Sequence, residues 1–340
     1  MAHYATSRYS YLGQFGILAA VGGAGLIIGA IASFIPLIGK IDFFSMKGGN
    51  TADLMNKLLV PENANALRWS QFLSTLFLFF APPVVYAWIC HKKPWLHLGF
   101  EPVKIDLKQV GIVILIMMAC LPLVSAMQEL TELYPWSKAM MAKFKEAEDA
   151  YSKQVMVMAR MNDFTDYLIA VVIVALLPAV FEEVLFRGAI QNLLSRWFKL
   201  PVLAVIVTSI IFSAIHGSYL GFLSRFVLGF ALGWMYYRTG NIWLNIIAHF
   251  VNNAVAVTAL YLSHQPGQKI DPSKIEEPLP IWWVAVSLVA IPLLLVLFEK
   301  VIKKDVDRPG EEVLIPGYNF SNDPFANDIA SKEPQNQSFN

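Results

Sequence analysis

The chain has 340 residues, of which 56% are hydrophobic and 15% charged, and its mean hydropathy is +0.52. A soluble domain carries about 25% charged residues, so the composition argues against a soluble multidomain protein. The net charge of +1 provides no basic field for nucleic acid, and we expect no nucleic-acid partner. Two cysteines, Cys90 and Cys120, form neither a disulfide framework nor a zinc cluster.

Apolar runs long enough to cross about 30 Å of hydrocarbon recur along the chain. They predict an all-α, polytopic membrane protein with about eight transmembrane helices, at residues 13–39, 69–90, 110–126, 165–196, 201–217, 220–237, 242–262 and 280–298. The first run follows Arg8, as the apolar region of a signal peptide follows a positive charge. It is too long for a signal peptide, and we interpret it as a transmembrane helix. Pro82 and Pro83 predict a kink in the second span.

These spans divide the chain into four parts. We expect residues 1–164 to form three transmembrane helices and an amphipathic loop helix within about 127–164, which either lies on the membrane surface or is solvated. Residues 165–262 form the helical core that holds the polar residues described below, and residues 263–304 contain the last transmembrane helix. The polar segment 305–340 is rich in Asn, Ser, Asp and Pro, a composition that predicts a disordered tail.

Lysine and arginine are concentrated after the even-numbered spans, at Lys92, Lys93, Lys104, Lys108, Arg196, Lys199, Arg238, Lys300, Lys303 and Lys304. Positively charged loops stay in the cytoplasm. With eight spans, both termini are then cytoplasmic, and we expect an integral protein of a bacterial inner membrane.

Three places combine ionisable residues with apolar helices, where a charge is costly and indicates function. The first holds Glu182, Glu183 and Arg187, which follow an apolar run without a turn between them. Glu183 and Arg187 are four residues apart and can pair on one helix face. Glu182 points about 100° away, which leaves it free for chemistry. The alternative is a pair of solvated glutamates at a helix end.

The other two places hold His216 and His249, the latter followed one turn later by Asn253 on the same helix face. A lone histidine in an apolar helix is more often a hydrogen-bonded core residue than a catalyst. Two histidines together with an unpaired glutamate and an asparagine reverse that expectation.

Residues 197–201 predict the turn of a helical hairpin, because Lys199 is polar and Pro201 starts a new segment. Glu182 lies seventeen residues before Lys199, and His216 lies seventeen residues after it. Both side chains therefore reach the same depth, about 25 Å from the turn. The span 242–262, which contains His249, begins on the same side of the membrane as this turn. We therefore expect Glu182, His216 and His249 to meet in the cytoplasmic half of the bilayer.

This set of residues is suited to peptide-bond hydrolysis. Glu182 in a water-poor site is a candidate general base, and His216 would share the water or its proton. His249 and Asn253 would donate to the oxyanion, which is worth about 3 kcal/mol per donor. A zinc site formed by His216, His249 and Glu182 is the alternative, but no His-Glu-x-x-His spacing is present. We therefore favour no cofactor.

The ordered motifs Glu-Glu-x-x-x-Arg, Phe-x-x-x-His and His-x-x-x-Asn, within residues 182–253, resemble the type II CAAX prenyl endopeptidase family, also called CPBP, which includes the Abi proteins. The resemblance implies an eight-helix intramembrane endopeptidase with its site open toward the cytosol. It implies that Glu182 and His216 activate water and that His249 and Asn253 form the oxyanion site. Members are described both as metalloproteases and as glutamate-dependent enzymes, so zinc stays open.

The partners implied are membrane lipid and a peptide or protein substrate with a membrane-embedded or lipidated segment. Two other classes remain as alternatives. The first is a non-catalytic membrane immunity protein or scaffold, which has no need for four polar groups in lipid. The second is a transporter with Glu182 as proton carrier, which predicts inverted repeats that the sequence does not show.

Overall fold

The computed structural model describes residues 9–40, 57–100, 106–158, 160–161, 163–263 and 280–302, and these residues form helices without a β-strand. The helices are α1 Tyr11–Leu37, α2 Pro61–Cys90, α3 Pro94–His97, α4 Leu107–Leu133, α5 Lys138–Met158, α6 Phe164–Phe198, α7 Pro201–Ile215, α8 Phe222–Thr239, α9 Ile242–Ser263 and α10 Ile281–Ile302.

Six of these helices, α1, α2, α4, α6, α9 and α10, are long and apolar enough to cross a membrane. The prediction of an all-α polytopic membrane protein is confirmed. The predicted fifth and sixth spans coincide with α7 and α8, which have 15 and 18 residues. Fifteen residues of α-helix extend only about 22 Å, which is less than the thickness of the hydrocarbon layer.

The two longest helices are not regular throughout. In α2, the turn Leu76–Phe80 is π-helical and ends two residues before Pro82. In α6, the π-helical turn Val171–Leu176 precedes Pro178 in the same way. Proline lacks an N–H and clashes with the carbonyl one turn earlier, so the hydrogen-bond ladder widens at that point. The irregularity that Pro82 and Pro83 predicted therefore lies on their N-terminal side.

The predicted hairpin turn joins α6 to α7. Lys199 has φ +54°, a left-handed conformation that ends α6, and Pro201 begins α7. At the opposite end of α7, residues 216–221 form a second turn, in which Gly217 has φ +67°. We call residues 216–221 the His216 turn. It reverses the chain into α8, which packs along α7 and α4.

The predicted amphipathic loop helix is α5, and α4 extends to Leu133 before it. Cys90 and Cys120 are both buried. Several expectations lie outside the described residues, namely the disordered tail at 305–340 and the basic residues Lys104, Lys303 and Lys304.

Candidate active site

Glu183 is the centre of a buried polar network. Its side chain is fully buried, and Arg187 Nη1 donates to its Oε1 at 2.8 Å. His249 Nδ1 lies 2.8 Å from the same oxygen, and Asn245 Nδ2 donates to Oε2 at 3.2 Å. A buried carboxylate is stable only when it is paired and hydrogen-bonded, and here three side chains do this. The predicted pairing of Glu183 with Arg187 is present.

Glu182 lies beside this network but makes different contacts. Its Oε2 is 3.9 Å from His216 Nε2 and 3.8 Å from His249 Nε2. Each distance is longer than a direct hydrogen bond. Each gap leaves room for a water that lies about 2.8 Å from Glu182 and about 2.8 Å from the histidine. The structure therefore brings Glu182, His216 and His249 together, although they come from α6, the end of α7 and α9.

His216 is oriented by its own helix. It is the residue after α7, and its Nδ1 lies 2.7 Å from the carbonyl oxygen of Phe212, one turn earlier. A carbonyl can only accept, so Nδ1 carries the proton, and in the neutral ring Nε2 is an acceptor directed toward Glu182. The Phe212 ring contacts the rings of both histidines, with centroid distances of 4.9 Å to His216 and 6.0 Å to His249.

Asn253 lies one turn beyond His249, and its Nδ2 donates to the carbonyl of Ala175 in a long bond of 3.5 Å. Asn252 also donates to the Asn253 side-chain oxygen, at 3.3 Å. The side chain is half-buried. Asn253 therefore shares the helix face of His249, as predicted, but its present hydrogen bonds are to its neighbours in α9 and α6.

Sequence reasoning missed Asn245, which donates both to Glu183 and, at 2.7 Å, to the carbonyl of Leu232 in α8. A signal for it exists, because Asn245, His249 and Asn253 follow one another at intervals of four residues on α9. Such a spacing puts all three on one helix face.

Sequence reasoning also missed the contacts between α6 and the backbone of α8. Arg187 Nη2 donates to the carbonyl of Gly229 at 3.0 Å, and Gln191 Nε2 donates to that of Gly233 at 2.8 Å. A side chain at Gly233 would meet Gln191 and Val205 at 3.0 Å. The two glycines, four residues apart, therefore allow the close helix approach that small residues provide in membranes.

The donor atoms bear on the zinc alternative. Among the described residues, no three His, Cys, Asp or Glu side chains are arranged as the ligands of one metal ion. Glu182, His216 and His249 are the nearest such set chemically, and zinc coordination at them stays a hypothesis for experiment.

Residues 164–255 match the family model described as type II CAAX prenyl endopeptidase Rce1-like. This segment is therefore similar to the Rce1-like family. It contains α6, α7, α8 and most of α9, and with them all six residues predicted for the site. The predicted resemblance is thus confirmed, and it supports a CAAX-type intramembrane protease in general.

Part of the chain also resembles a curated protein. The chain is 33% identical over 105 residues to "Uncharacterized protein YpbD" of Bacillus subtilis (strain 168), which corresponds to 30% of this chain and 51% of that protein. The chain thus spans about half the length of this relative. No solved structure matches the chain significantly.

Proposed function

We propose that this protein is an intramembrane endopeptidase that hydrolyses a peptide bond of a membrane-associated or lipidated peptide or protein with water activated by Glu182. The observation that carries the proposal is the position of Glu182 Oε2 within 4 Å of the Nε2 atoms of both His216 and His249. The adjacent Glu183 is held by Arg187, Asn245 and His249, so only Glu182 is available to bind water.

The reaction begins with a water between Glu182 and His216. Both groups accept hydrogen bonds from it, since the His216 Nδ1 proton is engaged by Phe212 and Nε2 presents a lone pair. The water oxygen attacks the peptide carbonyl as Glu182 takes one proton, which general base catalysis makes about 10²–10⁴ times faster. Glu182 then transfers this proton to the leaving amine, and the carbon–nitrogen bond breaks.

The oxyanion that forms on the carbonyl requires donors. His249 Nδ1 faces Glu183, so Nε2 can donate to an oxyanion only when the ring carries both protons, a form for which the Glu183 carboxylate supplies the opposite charge. Asn253 would join it after exchanging its 3.5 Å bond to Ala175 for a bond to substrate. Each donor contributes about 3 kcal/mol to the stabilisation of the transition state.

We further propose that this chemistry requires no metal, with zinc held by Glu182, His216 and His249 as the alternative. In that alternative, the metal would supply a Lewis acid that lowers the pKa of water. We also propose that the protein lies in a bacterial inner membrane. The distribution of lysine and arginine supports an orientation in which both termini, and the open side of the site, face the cytoplasm.

The test compares peptide termini by mass spectrometry in membranes of cells that express the natural protein or Glu182→Gln at equal abundance. Glu146→Gln, an exposed substitution on α5, is the matched control. We expect termini that depend on Glu182 and persist in the control. If no terminus differs while Glu182→Gln still rescues a deletion phenotype, the peptidase proposal is wrong and a non-catalytic scaffold takes its place.

A further inference from the structure

Helix α5 is hydrogen-bonded to the His216 turn. Ser218 Oγ, which is buried in this turn, donates to Glu148 Oε2 of α5 at 2.6 Å. The same hydroxyl oxygen accepts from the backbone N–H of Gly221 at 3.0 Å. One hydroxyl therefore connects α5 to the backbone of the turn that begins with His216.

Two ring contacts flank this hydrogen bond. The ring of Phe144 stacks on that of Tyr219, with centroids 4.6 Å apart and planes inclined by 21°. The guanidinium of Arg225, in the first turn of α8, lies 5.3 Å from the centre of the Tyr151 ring. Phe144, Glu148 and Tyr151 are spaced by four and three residues, so these contacts all come from one face of α5.

The rest of this interface is open. A cavity of about 460 Å³ lies between Leu130 near the end of α4, Phe144 of α5, and Tyr219 and Phe222 around the His216 turn. Close packing therefore does not hold α5 against the turn over its whole length. The attachment of α5 therefore depends on the contacts of Phe144, Glu148 and Tyr151.

The other end of α5 is fixed independently. Arg68 of α2 is buried, and it donates to the carbonyl of Met158 at 2.8 Å and to that of Arg160 at 2.5 Å. Hydrogen bonds from a charged donor are about twice as strong as those between neutral groups. Helix α5 is thus attached to α2 at its C-terminal end and to the His216 turn along its N-terminal half and centre.

We propose that Phe144, Glu148 and Tyr151 are positioning residues, which hold the His216 turn and the adjoining start of α8 so that His216 Nε2 stays opposite Glu182. The turn needs such support because His216 lies beyond the last residue of α7 and Gly217 reverses the chain. A displacement of about 1 Å at a reacting group lowers the rate about 10²-fold. This inference rests on the proposed peptidase function.

The test uses the full-length protein in lipid nanodiscs with Glu148→Ala, Glu148→Gln and, as control, the exposed Glu146→Ala. Hydrogen–deuterium exchange of the His216 turn requires no substrate, and the yield of Glu182-dependent peptide termini reports activity. We expect Glu148→Ala to speed exchange in the turn and to lower product yield about 10- to 100-fold. Glu148→Gln retains an acceptor oxygen and should keep most of the yield, as should Glu146→Ala.

A covalent replacement provides a second variant. In the double variant Glu148→Cys/Ser218→Cys, joining the two positions with a short bifunctional reagent should restore product yield relative to the unlinked protein. The proposal is overturned if Glu148→Ala leaves exchange in the turn unchanged, if exchange rises without a loss of product, or if the crosslink abolishes residual activity. If the natural protein yields no Glu182-dependent termini, the peptidase function fails, whereas the exchange data still report whether α5 restrains the turn.

Discussion

Substitution by glutamine should have different effects at the two adjacent glutamates of α6. At Glu183 it should lower stability, whereas at Glu182 it should lower activity with little effect on stability. Glu183→Gln removes the counter-charge of the fully buried Arg187 and leaves an amide that cannot accept from Arg187, Asn245 and His249 at once. Breaking a buried ion pair by removing one partner costs about 3–5 kcal/mol. Glu182→Gln disrupts no direct hydrogen bond to His216 or His249, because both distances are 3.8 Å or more.

We therefore expect Glu183→Gln to lower the free energy of unfolding by about 3–5 kcal/mol, whereas Glu182→Gln changes it by less than about 1 kcal/mol. Activity should fall at least about 10²-fold in Glu182→Gln, because it lacks the general base. Denaturation in mixed micelles measures the first quantity, and the yield of new peptide termini measures the second. Equal stability of the two variants would refute the assignment of Glu183 to structure and Glu182 to chemistry.

Three further results are expected. Asn245→Ala should lower the free energy of unfolding by about 1–3 kcal/mol, because it removes the donor shared by Glu183 and the Leu232 carbonyl; an unchanged denaturation midpoint would contradict this. Gly25→Ala should lower the unfolding temperature, since a Cβ there would lie 2.3 Å from the Phe77 carbonyl oxygen, whereas Gly22→Ala, with open space around it, should not. Product formation should survive a chelator if catalysis needs no metal, and loss of product that added zinc restores would favour the zinc alternative.

Hydropathy was sufficient to predict the helices that cross the membrane, because each apolar run must satisfy its backbone hydrogen bonds internally in lipid. It was less informative about their lengths. The fifth predicted span, 201–217, is the 15-residue helix α7 followed by the His216 turn. Within this turn, Gly217 adopts a left-handed conformation, and a hydropathy window averages over such a single residue.

The site was predictable where the rule was local. The four-residue spacing of Glu183 and Arg187 predicted their pairing, and the equal distances of Glu182 and His216 from Lys199 predicted their proximity. The missed contacts depend on neighbouring backbone. Asn245 donates to a carbonyl of α8, and a sequence pattern does not show which carbonyl a side chain will reach.

A π-helical segment, Val184–Gln191, explains how the site is held in register. The other two π-helical turns, one nearer the start of α6 and one in α2, are each followed by proline. Val184–Gln191 contains no proline, so its wide turns must have another cause. Arg187 and Gln191, four residues apart, bond to the carbonyls of Gly229 and Gly233, also four residues apart on α8. A slip of α8 by one residue would break both bonds and leave two buried donors without acceptors.

This double match fixes the height of α6 relative to α8, and the His216 turn connects α8 to α7. The height of Glu182 relative to His216 therefore follows from the contacts between α6 and α8 as well as from the α6–α7 hairpin. Functional sites often coincide with π-helical turns, and here the physical reason is visible. Arg187 lies in the widened segment and bonds to both Glu183 and α8. One side chain thus neutralises Glu183 and helps to set the position of Glu182, the proposed general base.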